Sequence, residues 1–183
     1  MLNTTREPGG TPLGEALRSL VLDDTISVDA HAELLVMCAG RSQHVADVIA
    51  PALGNGTDVL CERFSGSTMV YQGIARLLPM DQVLSICRFA ERGVSPDVVV
   101  YLDVPSPLRA EWTREKKLDR IEQEPERFHT MVDNGFDRLA DELGWLRVDG
   151  TGSVGEVTSR ICAAIAMALG RPWGMPRPSA DGA

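Results

Sequence analysis

Residues Asp58 to Gly73 read DVLCERFSGSTMVYQG, an apolar run that stops at an acid and an arginine and continues into hydroxyl, phenol and amide side chains at helical spacing. Val59, Leu60 and Cys61 suit a buried parallel strand. Its carboxyl end meets solvent at Glu62 and Arg63, and open α/β sheets bind ligands at that edge. A carboxylate there can hold a hydrated magnesium ion, and a guanidinium can grip phosphate oxygens through its planar fork. Thr68, Tyr71 and Gln72 fall three and four apart, so one helix face carries all three. The same pattern also suits a surface ion pair followed by an ordinary amphipathic helix. The residues alone leave both readings open.

Outward from this stretch, helical and extended runs alternate between turn signals, with no internal repeat. Upstream, Thr11 and Pro12 make a helix start, the hydroxyl capping and the ring filling the first turn, with Leu13, Leu17 and Leu20 as a buried stripe. A longer helix is predicted from about Ala30 to Ala52. Downstream, helices are predicted over Ser67 to Leu78 and Met80 to Arg92. DVVVYLDV, beginning at Asp97 after Pro96, is rich in β-branched residues and predicts a strand. A charged segment follows, then a helix near Pro125 to Leu143, a short strand in WLRVD, and a helix from Val154 to Leu169. Such alternation predicts an α/β fold, a parallel sheet flanked by crossover helices. Residues 1–170 are read as one domain and 171–183, GRPWGMPRPSADGA from Gly170 onward, as a loose tail.

The 183 residues carry a net charge of -8, which argues against a nucleic-acid partner, since that task leaves a basic footprint. Cys38, Cys61, Cys87 and Cys162 are widely spaced in apolar runs and read as reduced core thiols. No export segment and no run of 18 apolar residues is present, so a cytoplasmic protein without a membrane span is expected. His31, His44 and His129 show no ligand spacing and are read as surface or packing residues.

Two further constellations stand out. Leu34, Met37, Cys38, Arg41 and Val45 share a helix face, placing a guanidinium in an apolar stripe where it needs a partner. An acid from a neighbouring helix would satisfy it; equally, its donors suit the acceptor edge of a flat base. The segment Arg109 to Arg120, RAEWTREKKLDR, mixes five basic with three acidic residues. It reads either as solvated helix surface or as a mobile lid closing positive groups over a transferring phosphoryl.

TREPGGTPLGEALR from Thr5, AELLVMCAGRSQH from Ala32, ERFSGSTMVYQG from Glu62, PDVVVYLDVP from Pro96 and LDRIEQE from Leu118 occur in that order. Together they make the chain resemble bacterial thymidylate kinases from Thr5 to about Ala168. The resemblance implies a P-loop NTPase-like fold, phosphoryl transfer from ATP to dTMP giving dTDP, Mg2+, and a homodimer. It implies that Arg41 and Gln72 contact thymine, that Met37 stands where a phenylalanine usually stacks, and that Thr68 lines the base pocket. Tyr71 would sit near the sugar and help exclude a 2'-hydroxyl. Arg18 and Arg63 would hold the acceptor phosphate. Arg63, Glu62 and Arg114 form the implied catalytic set, Arg109, Arg114, Lys116 and Lys117 the lid, and Glu62 with Glu7 the metal-side acids. Glu62 replaces the usual aspartate, moving the carboxylate by about a bond length, and octahedral magnesium tolerates little displacement.

GxxxxGK[ST], whose backbone N–H groups and lysine cradle ATP phosphates, does not occur in the sequence. Neither REPGG nor GNGTD is followed by Lys-Ser or Lys-Thr. The expectation is therefore an N-terminally truncated fold, lacking the first strand, the phosphate loop and the first helix, with the sheet interrupted between the strands ending near Cys61 and Asp103. Two functions follow from that expectation. One is dTMP kinase chemistry, predicted to fail for this polypeptide as written; the other is a catalytically inactive nucleotide-binding protein that keeps the monophosphate pocket.

Overall fold

A parallel strand can reach its partner only through a crossover, and the helices of this chain serve that purpose twice. The computed structural model describes residues 1–113 and 117–171. Strand β1 (Leu2–Arg6) leads through α1 (Pro12–Leu22), α2 (Ala30–His44) and α3 (Ala50–Gly54) to β2 (Asp58–Glu62). The two strands pair in parallel, Leu2 opposite Asp58 through Arg6 opposite Glu62. Next come α4 (Ser65–Thr68), a π-helical segment over Met69–Ala75, and α5 (Met80–Glu91). Strand β3 (Val100–Asp103) then leads through α6 (Ser106–Thr113) and α7 (Glu126–Glu142) to its parallel partner β4 (Leu146–Asp149), and α8 (Val154–Leu169) follows.

The α/β class and parallel pairing agree with the sequence reading. Among the described residues, however, the sheet forms two pairs, and no ladder joins β2 to β3. The break lies where the resemblance implies one further strand.

Local signals set several boundaries. The Thr11 hydroxyl accepts from the Gly14 amide at 2.9 Å with Pro12 in the first turn, and Ser153 and Glu156 form a reciprocal capping box at α8. Arg92 closes α5 in a left-handed conformation at φ 53°.

Other expectations need correction. Strand β1 was not foreseen, because LNTTR has no apolar alternation; its order comes from the ladder to β2, which Glu7 extends by donating to the Glu62 carbonyl at 2.9 Å. The Leu13, Leu17 and Leu20 stripe is not the buried face of α1. Leu13 and Leu20 are exposed, whereas Gly14 and Val21 are buried, since α1 turns Gly14 against the Gly9 carbonyl. The predicted helix from Ala30 to Ala52 passes through a π-helical turn at Val45–Ile49, and the one from Ser67 begins at Ser65 and ends with Ala75. The strand in DVVVYLDV is confined to Val100–Asp103.

The apolar interior has two centres. Leu34 and Cys38 of α2 pack on Val83, Cys87 and Ala90 of α5. Val70, Phe128, Val132 and Leu139 unite the π-helical segment with α7, with Tyr71, Phe136 and Trp145 at its margin. No helix of the described residues is long and apolar enough to cross a membrane.

Candidate functional site

The carboxyl ends of β1 and β2 open beside α1, α2 and the π-helical segment onto a cavity of about 340 Å3. Every substrate-site residue predicted outside the lid lines it. Glu7 comes from the turn after β1, Arg18 from α1, Met37 and Arg41 from α2, and Glu62 and Arg63 from the end of β2. Thr68, Tyr71 and Gln72 line the opposite wall, and Asp119, Ile121 and Glu122 close one side. Of the lid residues, Lys117 is described: it is exposed and pairs with Asp24 at 3.5 Å, in an adjoining, more open depression that shares Leu22 and Asp119 with the cavity. Arg114, Lys116 and the Arg109 side chain lie outside the described residues, as do 172–183 of the expected tail.

Arg41 is 3% exposed and Glu7 6%, and they pair through Nε and Oε2 at 2.8 Å. The partner predicted to come from a neighbouring helix therefore comes from the turn after β1. Arg41 Nη2 donates to the Thr68 hydroxyl at 3.0 Å, Nη1 lies against the Cys38 and Cys87 sulfurs, and the guanidinium stands over Phe64 at 4.9 Å. Burial alone works against charge on Arg41, but the Glu7 carboxylate and the two thiols reverse that effect and raise its basicity.

His44, fully buried, completes this network. Its Nδ1 lies 3.0 Å from Glu7 Oε1 and its Nε2 2.6 Å from Thr5 Oγ1. A carboxylate paired with a guanidinium only accepts, so Nδ1–H donates to Glu7, and the Thr5 hydroxyl shares a hydrogen bond with Nε2. His44 also fills the space above Gly10, where φ is 76° and a side chain would meet its ring at 2.5 Å. Glu7, His44 and Cys61 place ligand atoms within 4.8 Å of one another. Yet Glu7 and His44 already bond each other, and Thr5 takes the remaining ring nitrogen.

A second buried acid, Glu33, stands behind the cavity at 0% exposure. It accepts from Gln72 Nε2 at 2.7 Å, from Arg76 Nη2 at 3.1 Å and from Arg120 Nη2 at 2.5 Å. Burial pushes its carboxyl up, but the bonds from Arg76, Arg120 and Gln72 outweigh it and hold the group below the usual range. Arg120 belongs to LDRIEQE and also donates to the Val21 carbonyl, tying that motif to α1 and α2.

Two positive groups face the open end. Arg63 is exposed, sits at φ 63° in the left-handed region, and lies 5.6 Å over the Tyr71 ring. Arg18 Nη1 donates to the Pro8 carbonyl at 3.0 Å, which holds it against the turn. Glu62 is exposed and, among the described residues, its carboxylate has no partner.

Sequence pattern does not single out His44, Glu33, Phe64 or Arg76 as residues of this network. A histidine one turn after Arg41, and a glutamate two turns before it, are the signals α2 offered; helical spacing gives no means of seeing a partner dozens of residues away.

The thymidylate kinase family model matches residues 2–161. The thymidylate kinase of Prochlorococcus marinus (strain NATL2A) is 39% identical over 163 residues, covering 88% of this chain and 77% of that protein. The thymidylate kinase of Synechococcus sp. (strain WH7803) is 44% identical over 166 residues, 90% of this chain and 78% of that protein. That of Chlamydia muridarum (strain MoPn / Nigg) is 46% identical over 142 residues, 75% of this chain and 69% of that protein. Likeness of this extent, added to a parallel α/β frame whose strand ends gather the predicted acceptor-site residues, establishes that the chain belongs to the thymidylate kinase family, a family of phosphotransferases on the P-loop NTPase fold.

Proposed function

We propose that the chain binds dTMP in the cavity at the ends of β1 and β2 and that its reaction is phosphorylation of dTMP by ATP to dTDP. The observation that carries this reading is the gathering of Arg18, Arg41, Arg63, Thr68, Tyr71 and Gln72, from four separate parts of the chain, onto one cavity. Arg41 and Gln72 offer polar groups to a base, with Met37 and Phe64 as apolar lining of the same cavity. Tyr71, held by Phe128 and Phe136 at 6.1 Å each, supplies a fixed ring where a 2'-hydroxyl would crowd. Arg18 and Arg63 approach the phosphate from the open end, and guanidinium forks suit its oxygens. Phosphoryl transfer asks the protein mainly for positioning and charge neutralisation, and Arg63, directly after β2, is the guanidinium we assign to that task.

Mg2+ is implied by this chemistry and would neutralise phosphate charge. Glu62 fits it, as an exposed carboxylate with no partner among the described residues. Glu7 does not fit as it stands, because Arg41 and His44 occupy its two oxygens.

Calorimetry with dTMP on the full chain and a coupled assay of dTMP-dependent ADP release test the reading. Binding is the expected outcome, with release expected once a GxxxxGK[ST] unit, a motif absent from this sequence, is supplied ahead of Met1. Failure to bind dTMP refutes the site; binding without release from the extended chain refutes the transfer reading and supports the pocket-only protein.

A further inference from the structure

The Glu33 network joins a motif with no role in the proposed reaction to a residue that has one. Gln72 is 1% exposed and lines the cavity, and its amide nitrogen is spent on Glu33 at 2.7 Å. An ionised carboxylate offers acceptors only, so the amide end toward it must be the nitrogen. Two guanidiniums, Arg76 and Arg120, keep Glu33 in that state from the far side. The Gln72 side-chain oxygen is left without a hydrogen-bond partner among the described residues, in a buried setting where an unpaired acceptor is costly.

We infer that Glu33 is a specificity-determining positioning residue: by holding the Gln72 amide nitrogen it presents the amide oxygen to the base pocket, which then requires a pyrimidine bearing hydrogen on N3. This rests on the reading of the cavity as a nucleoside monophosphate site and adds the cause of its base choice. A 2,4-dioxopyrimidine offers an N3–H to the Gln72 oxygen and a neighbouring carbonyl to a donor such as Arg41. Cytosine offers a bare N3 and an amino group, the reverse pattern, so acceptor meets acceptor and donor meets donor. A site built to bond one partner rejects the other by at least about a hundredfold.

The same geometry says what a neutral replacement does. Arg76 Nη2 and Arg120 Nη2 approach Oε2 at 3.1 and 2.5 Å, whereas Oε1 takes Gln72 at 2.7 Å and Arg76 Nε at a longer 3.3 Å. In Glu33→Gln the amide oxygen is drawn to the two shorter guanidinium contacts, and its nitrogen takes the Oε1 position facing Gln72 with loss of the long Arg76 Nε bond. Gln72 then turns over and shows its own nitrogen to the pocket, which suits the bare N3 of cytosine and opposes the N3–H of thymine, while Arg41 remains a donor beside it.

Calorimetry on the full chain compares dTMP, dCMP and N3-methyl-dTMP with wild type and E33Q, with circular dichroism reporting the fold. In wild type both dCMP and N3-methyl-dTMP are expected to bind at least about a hundredfold more weakly than dTMP. In E33Q the dTMP-to-dCMP affinity ratio is expected to fall at least about tenfold, with dCMP gaining, which a loss of packing common to both ligands would not produce. Should E33Q fail to fold, E33Q/R120M, which removes a guanidinium together with the carboxylate charge, is read in its place. An unchanged ratio in the folded variant, or equal binding of dTMP and N3-methyl-dTMP by wild type, overturns this inference and leaves the dTMP site standing. Absence of dTMP binding to wild type overturns both.

Discussion

Removing both partners of the Glu7–Arg41 pair should cost less than the two single losses added together. The pair is nine-tenths buried on each side, bonded at 2.8 Å, and fixed by Thr68 on one flank and His44 on the other. Arg41→Met leaves a carboxylate with only His44 to answer it, and stranding a buried charge costs about 3–5 kcal/mol. Glu7→Gln keeps an acceptor for Arg41 Nε but loses the charge and sets an amide against His44, a loss of about 1–3 kcal/mol. In the double variant neither charge remains to be stranded, so its loss should fall short of the sum by about 1.5–3 kcal/mol. Urea unfolding of the four proteins at neutral pH measures this, provided the denaturant slopes agree, since a changed slope signals a changed denatured state. Losses that add to within about 0.5 kcal/mol would show that the two side chains do not form one electrostatic unit. The reasoning above would then be refuted.

Two other outcomes follow from the same geometry. The Glu33 carboxyl is held below its ordinary value of 4.5 in the folded protein, so its contribution to stability is fully present above about pH 4.5 and lost as pH falls through the lowered folded value. Urea midpoints measured from about pH 3 to pH 7 should therefore decline on the acid side, and less steeply for E33Q; equal slopes would sink the argument. A side chain at Gly14 would overlap the Gly9 carbonyl, which is backbone and cannot swing aside. Gly14→Ala should cost about 1–3 kcal/mol and weaken dTMP binding by displacing the turn that carries Glu7, as thermal melts and calorimetry would register. Full stability with unaltered binding would show that the turn yields freely.

Sequence pattern alone located most elements and most of the cavity wall, for reasons visible in particular residues. Thr11 with Pro12 and Ser153 with Glu156 are caps whose bonding partners lie within three residues, so the local chain specifies them. Cys38 and Arg41 fall on one face of α2 by helical period, which puts a guanidinium where it needs a partner, either an acid or a base edge, and the fold supplies an acid. What pattern did not supply was the identity of that acid. Leu13 and Leu20 were misjudged because hydrophobicity marks an amphipathic face only when packing agrees, and here the close approach of Gly14 to the Gly9 carbonyl turns the helix otherwise. The π-helical turns at Val45–Ile49 and Met69–Ala75 leave no mark at residue spacing, yet the second carries Tyr71 and Gln72.

The amino-acid order by itself determined the α/β alternation, the family, and most of the side chains that line the cavity, because each depends on short-range period, on capping, or on motifs kept in register. Tertiary structure alone decided that β1 exists, that Glu7 rather than a helix-borne acid answers Arg41, and that Glu33 dictates which end of Gln72 meets the cavity. These are choices among distant partners, separated by 34 and 39 residues in the last two cases. A desolvated charge or amide takes whichever complementary group the fold delivers within bonding distance, and only the assembled chain sets that distance.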